Sequence, residues 1–231
     1  MSPMPAENSR KLIVAIDGPA GAGKSTIARH LANRFGLLNL ETGAMYRAFG
    51  LKALRSGLPL HDAAQLATLT DTTSIRLVPT ETGNRVLLDD EDVTTALREA
   101  SVTDAASKVS VHTPIRAWLV RLQQQMGAAG GVVMEGRDIG TVVFPQADVK
   151  IFLDADPDVR GQRRFDQLQP APAVKADEIK RDMRDRDQRD RSRADSPLKP
   201  AEDAILLDST NLSLQETIEQ AEQVVQARLQ S

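Results

Sequence analysis

The sequence predicts a three-layer α/β fold: a parallel sheet with helices on both faces. Three observations carry this. Short apolar runs alternate with amphipathic stretches along most of the 231 residues. The runs are rich in Val, Ile and Leu and hardly interrupted by polar residues, as strands buried on both faces are. A glycine-rich turn joins the first run to the first amphipathic stretch, which is the join a strand–helix unit needs.

The elements follow in order. Met1 to Arg10 is polar and carries two prolines, and it reads as a disordered tail. Lys11 to Asp17 is a strand ending at Gly18-Pro19. Lys24 to Phe35 is a helix with Ile27, Ala28, Leu31 and Phe35 on one face, stopped by Gly36. Leu37 to Leu40 is a second strand and Ala44 to Ser56 a second helix. From Asp71 to Val93 short strands, with a turn at Thr82-Gly83-Asn84, form a patch too small for its own core. It reads as a β-rich insertion, bounded at 61–99. Ser101 to Met126 is a long helical stretch that Pro114 breaks or restarts. Val132 to Met134 and Val149 to Leu153 are buried strands. Pro157 to Leu168 is helical, Gln169-Pro170-Ala171-Pro172 is a hinge, and a charge run follows to Arg193. Ala204 to Leu207 is the last strand. Ser213 and Glu216 form a capping box for the closing helix. Its apolar face is Leu214, Ile218, Ala221, Val224, Val225 and Leu229.

Composition narrows the function. The chain has no cysteine, which excludes disulfides and thiolate metal sites and fits a cytoplasmic location. No apolar run nears the ~20 residues of a membrane span, and the tail lacks the apolar segment of a signal peptide. A net charge of -3 would repel a polyanion as a whole, so no nucleic-acid partner is expected. We expect a monomer, because no apolar stripe is left over. The three histidines have no metal-like spacing.

Gly18-Pro19-Ala20-Gly21-Ala22-Gly23-Lys24-Ser25, followed by Thr26, matches the phosphate-binding pattern G-x-x-x-x-G-K-[ST] in full. Phosphate oxygens need several N–H donors at close range, and glycines let the backbone wrap them without Cβ clashes. The helix beginning at Lys24 adds unpaired N–H groups and a positive dipole end. Lys24 would bridge the β- and γ-phosphates, and the Ser25 hydroxyl would hold Mg²⁺. On its own the motif fits a nucleotide kinase, a kinase of a small hydroxylated acid or sugar, or an ATPase module driving a macromolecular partner.

The rest of the chain separates these. Glu41-Thr42-Gly43-Ala44-Met45-Tyr46-Arg47 comes first. Then come Glu135-Gly136-Arg137-Asp138-Ile139-Gly140-Thr141-Val142-Val143-Phe144-Pro145 and Lys150-Ile151-Phe152-Leu153-Asp154-Ala155. Arg186-Asp187-Gln188-Arg189-Asp190-Arg191-Ser192-Arg193 and Leu207-Asp208-Ser209-Thr210 complete the set. In this order and at about these separations the segments resemble the bacterial cytidylate kinases, from about Leu12 to Leu229. The resemblance implies a P-loop core (11–60, 100–156, 195–231), a nucleoside-monophosphate-binding insertion (61–99) and a lid (157–194). It implies transfer of the γ-phosphate of ATP to CMP or dCMP. Thr42 matches a position near the ribose, and Arg47, Arg137 and Arg193 match arginines on the acceptor phosphate. Ser107, Arg116 and Asp138 match residues that read cytosine. Arg186 and Asp190 match the pair at the ribose hydroxyls. Arg160, Arg163 and Arg164 match lid arginines over the donor phosphates. Lys24, Arg137 and Arg193 would carry most of the catalysis.

Chemistry agrees with these assignments. Cytosine offers an N4 donor and N3 and O2 acceptors, so a carboxylate or hydroxyl and a guanidinium complement it, and uracil reverses the pattern. On a helix, Arg186, Asp190 and Arg193 share one face. An earlier imitation of the motif, Arg181 to Gln188, lacks the last arginine. Lys175, Lys180, Arg181 and Arg184 are expected at the surface. Trp118 and Phe144 read as core residues rather than stacking platforms.

Overall fold

The structure, a computed structural model, describes residues 11–80, 83–168 and 176–230. The expected tail, Thr82, the 169–172 hinge and Lys175 lie outside the described residues. The chain runs β1 (Ile13–Asp17), α1 (Lys24–Phe35), β2 (Leu38–Glu41), α2 (Thr42–Arg55), α3 (Ala63–Thr68), β3 (Ile75–Thr80), β4 (Gly83–Leu88) and β5 (Glu91–Asp92). It continues α4 (Ala100–Val109), α5 (Thr113–Gly127), β6 (Val132–Gly136), β7 (Val149–Asp154), α6 (Pro157–Leu168), α7 (Ala176–Ser192), β8 (Ile205–Asp208) and α8 (Leu214–Leu229).

The main sheet has the order β2-β6-β1-β7-β8, with every pairing parallel. The central strands β1 and β6 are buried throughout, whereas the edge strands β2 and β8 expose Leu38, Ile205 and Leu206, and side chains of β1 alternate between two cores. Val14 and Ile16 pack with Ile27, Leu31, Ala221 and Val225 under α1 and α8. Ile13 and Ala15 face the other way, with Val132, Met134, Ile139 and Val143. The C-terminal ends of β1, β6 and β7 therefore lie side by side. In open α/β sheets that edge is where ligands bind.

The antiparallel sheet β3-β4-β5 borrows its core. Ile75, Val86 and Leu88 pack against Met45, Phe49, Ile115 and Leu119 of α2 and α5. Phe49 and Trp118 meet at 5.6 Å between ring centroids within this layer.

The 101–126 stretch is two helices, as Pro114 foretold, with that proline in the first turn of the second, where its missing N–H costs nothing. Other elements depart from the sequence reading. Residues 63–68 form a short helix, capped by Asp62 accepting from Ala64 and Gln65 N–H. The segment Ile139–Val143 is a single π-helical turn, for which the sequence offered no signal. Ser213 and Glu216 do form the capping box of α8. Leu214 and Leu229, expected on its apolar face, are both 57% exposed, because they sit at the two ends of the helix. Lys180 is half-buried rather than a surface residue, its stem lying over Gly161 between α6 and α7.

Candidate active site

The cradle leaves β1 with a backbone only glycine tolerates. Gly18 has φ +148°, and a Cβ there would stand 1.9 Å from the Leu153 carbonyl oxygen. Gly21 and Gly23 are also left-handed, at +74° and +99°. Gly23 caps α1, so the loop feeds straight into the helix N-terminus. Lys24 is buried, and its ammonium donates to the Pro19 carbonyl of its own loop at 2.7 Å. Burial, and then the charge of Arg137, lower its pKa to about 7. Ser25, in the first turn of α1, is exposed.

Two buried carboxylates lie beneath this loop. Asp17 accepts from the Ile139 and Gly140 N–H groups at 2.8 and 2.7 Å. Burial raises its pKa to about 6 in spite of those bonds. Glu135, at the end of β6, is also held above the ordinary range by burial and by Glu41. Its Oε1 is buried with no hydrogen-bond partner among the described residues. Ser25 and Lys24 are among the groups that favour its charged form. A divalent cation arriving with a phosphate would satisfy that orphaned oxygen. Among the described residues no cluster of three or more His, Cys, Asp or Glu forms a cage of its own. Asp154, at the end of β7, instead accepts from the Ala155 N–H.

Across the cleft, charged side chains from four elements converge. Arg116 of α5 donates to Asp138 at 2.5 Å, and both are at most 3% exposed. The same guanidinium donates to the Ser110 carbonyl at 3.1 Å and lies over the Tyr46 ring at 5.5 Å. Arg137 donates through Nε to Asp190 at 2.9 Å. Arg193 stands 3.4 Å from the other Asp190 oxygen. Burial alone would raise the Asp190 pKa, but Arg137, Arg193 and Arg186 hold it below the usual carboxylate range. Burial and the neighbouring Arg137, Arg47 and Arg164 push Arg186 down to about 10. Arg164 is lowered by burial and by Arg47. These cations are held together against their own repulsion, which is the electrostatic mark of an anion site. The Nε atoms of Arg116 and Arg193 are buried without hydrogen-bond partners among the described residues, so two donors await a ligand.

Of the expected site residues, Arg116, Arg137, Asp138, Arg186, Asp190 and Arg193 come together. Ser107 is buried on α4, and its carbonyl accepts from Ser110. Thr42 begins α2, and its hydroxyl donates to the Glu135 carbonyl at 2.7 Å, tying α2 to β6. Arg47 pairs with Glu41. Arg181 and Asp185, from the earlier imitation of the motif, are exposed.

Arg160, matched to a lid arginine, lies behind the P-loop. It is 3% exposed and occupied by the Ala155 carbonyl, the Ala20 carbonyl and Asp187. Arg163 grips Ser209 through both its hydroxyl and its carbonyl. Sequence reasoning gave no role to Asp17, Tyr46, Glu135 or Asp187. For Glu135 a signal was present: an acid directly after a buried apolar run beside the P-loop strand. Tyr46 offered a weaker one, since it neighbours Arg47 in the quoted segment.

Comparisons with known proteins identify the family. The family model described as cytidylate kinase matches residues 14–227. A cytidylate kinase of Solibacter usitatus is 46% identical over 223 residues, covering 95% of this chain and 94% of that protein. One from Bacillus pumilus is 47% identical, covering 90% and 92%. Among solved structures, a shikimate kinase from Bacteroides thetaiotaomicron superposes with a TM-score of 0.50 at 15% identity, covering 95% of this chain and 99% of that one. That likeness speaks for the fold alone.

Proposed function

The chain belongs to the cytidylate kinase family, whose reaction moves the γ-phosphate of ATP to CMP or dCMP, and we propose that the P-loop and the arginine cleft hold these two nucleotides in line. The observation that carries the assignment is the buried Arg116–Asp138 pair, with the Nε atoms of Arg116 and of neighbouring Arg193 left without protein partners among the described residues. Asp138, with Ser107, accepts from the cytosine N4 amino group, and Arg116 donates to N3 or O2. Uracil would leave those buried groups unpaired, which is costly. Thr42, Arg186 and Asp190 line the ribose. Arg47, Arg137 and Arg193 grip the acceptor phosphate.

On the donor side, the amides of Gly18 to Thr26 wrap the ATP phosphates and Arg164 flanks them, while Arg160 supports the loop from behind through the Ala20 carbonyl. Lys24 leaves the Pro19 carbonyl for the β- and γ-phosphates. The residues fit Mg²⁺: Ser25 would hold it, with Glu135 as the neighbouring carboxylate. Mg²⁺ would neutralise charge on the phosphates.

No general base is required. The second pKa of a phosphate monoester is about 6, so the acceptor is already largely a dianion at neutral pH. Catalysis then rests on orientation and on spreading charge over Lys24, Arg137 and Arg193. Among the described residues no helix is long and apolar enough to cross a membrane. The proposal includes a cytoplasmic monomer with no nucleic-acid partner.

The test is ADP release with CMP, dCMP, UMP, AMP and shikimate as acceptors. CMP and dCMP should be turned over at least about tenfold faster than UMP, the discrimination one mispaired buried polar contact supplies. A preference for AMP or shikimate would overturn the assignment.

A further inference from the structure

The helix α7 carries two buried carboxylates three residues apart, and they serve different halves of the molecule. Asp190 faces the arginine cleft. Asp187 faces the P-loop. Its Oδ2 accepts from Arg160 Nη1 at 2.5 Å, and its Oδ1 lies 3.4 Å from the Ala20 N–H. The same Arg160 nitrogen donates to the Ala20 carbonyl at 3.0 Å. Both polar groups of one P-loop residue are thus met by a side-chain pair from α6 and α7. Met183, one turn before Asp187, covers the next position, since a Cβ at Gly21 would meet its Cε at 2.6 Å. Arg160 and Asp187 are 3% and 8% exposed. Arg160 is held from its other side by the Ala155 carbonyl at 2.8 Å, directly after β7.

We propose that Asp187 is a positioning residue for the donor nucleotide, acting through Arg160 to fix the Ala20 peptide and so the aim of the P-loop amides. A phosphate cradle built of backbone N–H groups works only if those dipoles are already oriented. The glycines that permit its shape also leave it free to take others. The Arg160–Asp187 pair removes that freedom at the loop's crown. It also couples the two helices 157–168 and 176–192 to the donor site, while Asp190, on the next turn of the same helix, couples the second of them to the acceptor site. The proposal rests on the reading of the P-loop as the ATP site, though not on the identity of the acceptor.

The two carboxylates can be told apart by which nucleotide suffers. Asp187→Asn keeps the shape and removes the charge that holds Arg160. A charge-assisted hydrogen bond contributes roughly a 10- to 100-fold factor. The KM for ATP should therefore rise about tenfold or more, with the KM for CMP within about twofold of the parent. Asp190→Asn should give the opposite split. The dissociation constant of a fluorescent ATP analogue, measured without acceptor, should rise alongside the ATP KM. That binding readout keeps its meaning even if CMP proves not to be the acceptor.

Arg160→Met combined with Asp187→Leu removes both charges and leaves neither buried alone, which guards against simple misfolding. Its ATP affinity should be no worse than that of Asp187→Asn, as expected of two residues acting as one unit. Unchanged ATP affinity in Asp187→Asn, or equal rises in both KM values, would overturn the proposal. A double variant that loses the product of the separate effects of Asp187→Asn and Arg160→Met would overturn it too.

Discussion

The proposed donor cradle and the proposed acceptor cleft lie on one sheet edge but are made of different materials. The cradle is backbone: three left-handed glycines, a helix N-terminus, and one lysine resting on its own loop. The cleft is side chain: guanidinium and carboxylate groups drawn from α5, α7 and the loops after β6 and α7, paired with one another. Backbone recognition suits a phosphate chain, which looks the same on every nucleoside triphosphate. Side-chain recognition suits a base, whose edge must be told from its neighbours. The difference also sets how each region fails. A change in the cradle acts through geometry. A change in the cleft acts through charges left without partners.

The largest effect should come from splitting the buried pair in the cleft. Asp138→Ala leaves Arg116 charged and buried, and should cost about 3–5 kcal/mol in urea unfolding. Among the molecules that remain folded, the preference for CMP over UMP should shrink. Lys24→Met attacks the other region and should lower kcat by roughly 10²–10³-fold in the ADP-release assay, the loss typical of one transition-state donor. Stability should hardly fall, because burial already disfavours its charged form. Gly18→Ala probes the cradle's geometry. A Cβ 1.9 Å from the Leu153 carbonyl, at φ +148°, should cost ~2–4 kcal/mol of stability. Arg193→Ala should raise the KM for CMP and lower kcat by about 10- to 100-fold in kcat/KM, with the ATP KM little changed.

The smallest effect is one of pH, and it belongs to the cradle. In the free protein Lys24 titrates at about 7. A bound triphosphate favours the charged ammonium and raises that value. ATP binding should therefore take up a proton between the two values, and affinity should fall as pH rises above 7, by less than about tenfold per unit. Calorimetry in buffers of different ionisation enthalpy reads the uptake directly, and Lys24→Met should abolish it.

How much of this was legible in the sequence also differs between the two regions. The cradle is contiguous, so its eight residues announce themselves, and the structure places strand, loop and helix where the motif requires. The alternating sheet and the capping box of α8 were equally open, because hydrophobic period and cap chemistry are local. The cleft is assembled from residues about 80 positions apart. Arg116, Asp138 and Asp190 could be grouped only through resemblance to a family. The run 176–192 repeats acid and base so regularly that spacing alone cannot say which carboxylate faces which partner. Asp187 and Asp190 part company only once the loops after β1 and β6 are in place, with Ala20 against the first and Arg137 against the second. The π-helical turn at Ile139–Val143 had no local signal either. Its N–H groups at Ile139 and Gly140 are held by Asp17, which lies more than 120 residues earlier.

The central claim is that two nucleotides meet end to end at this edge, one held by backbone and one by side-chain charges. A crystal structure with an ATP analogue, Mg²⁺ and CMP tests it most directly. It should find the triphosphate in the loop from Gly18 to Thr26 and the pyrimidine edge against Arg116 and Asp138, with the CMP phosphate among Arg47, Arg137 and Arg193. A pyrimidine bound away from Arg116 and Asp138 would contradict the account.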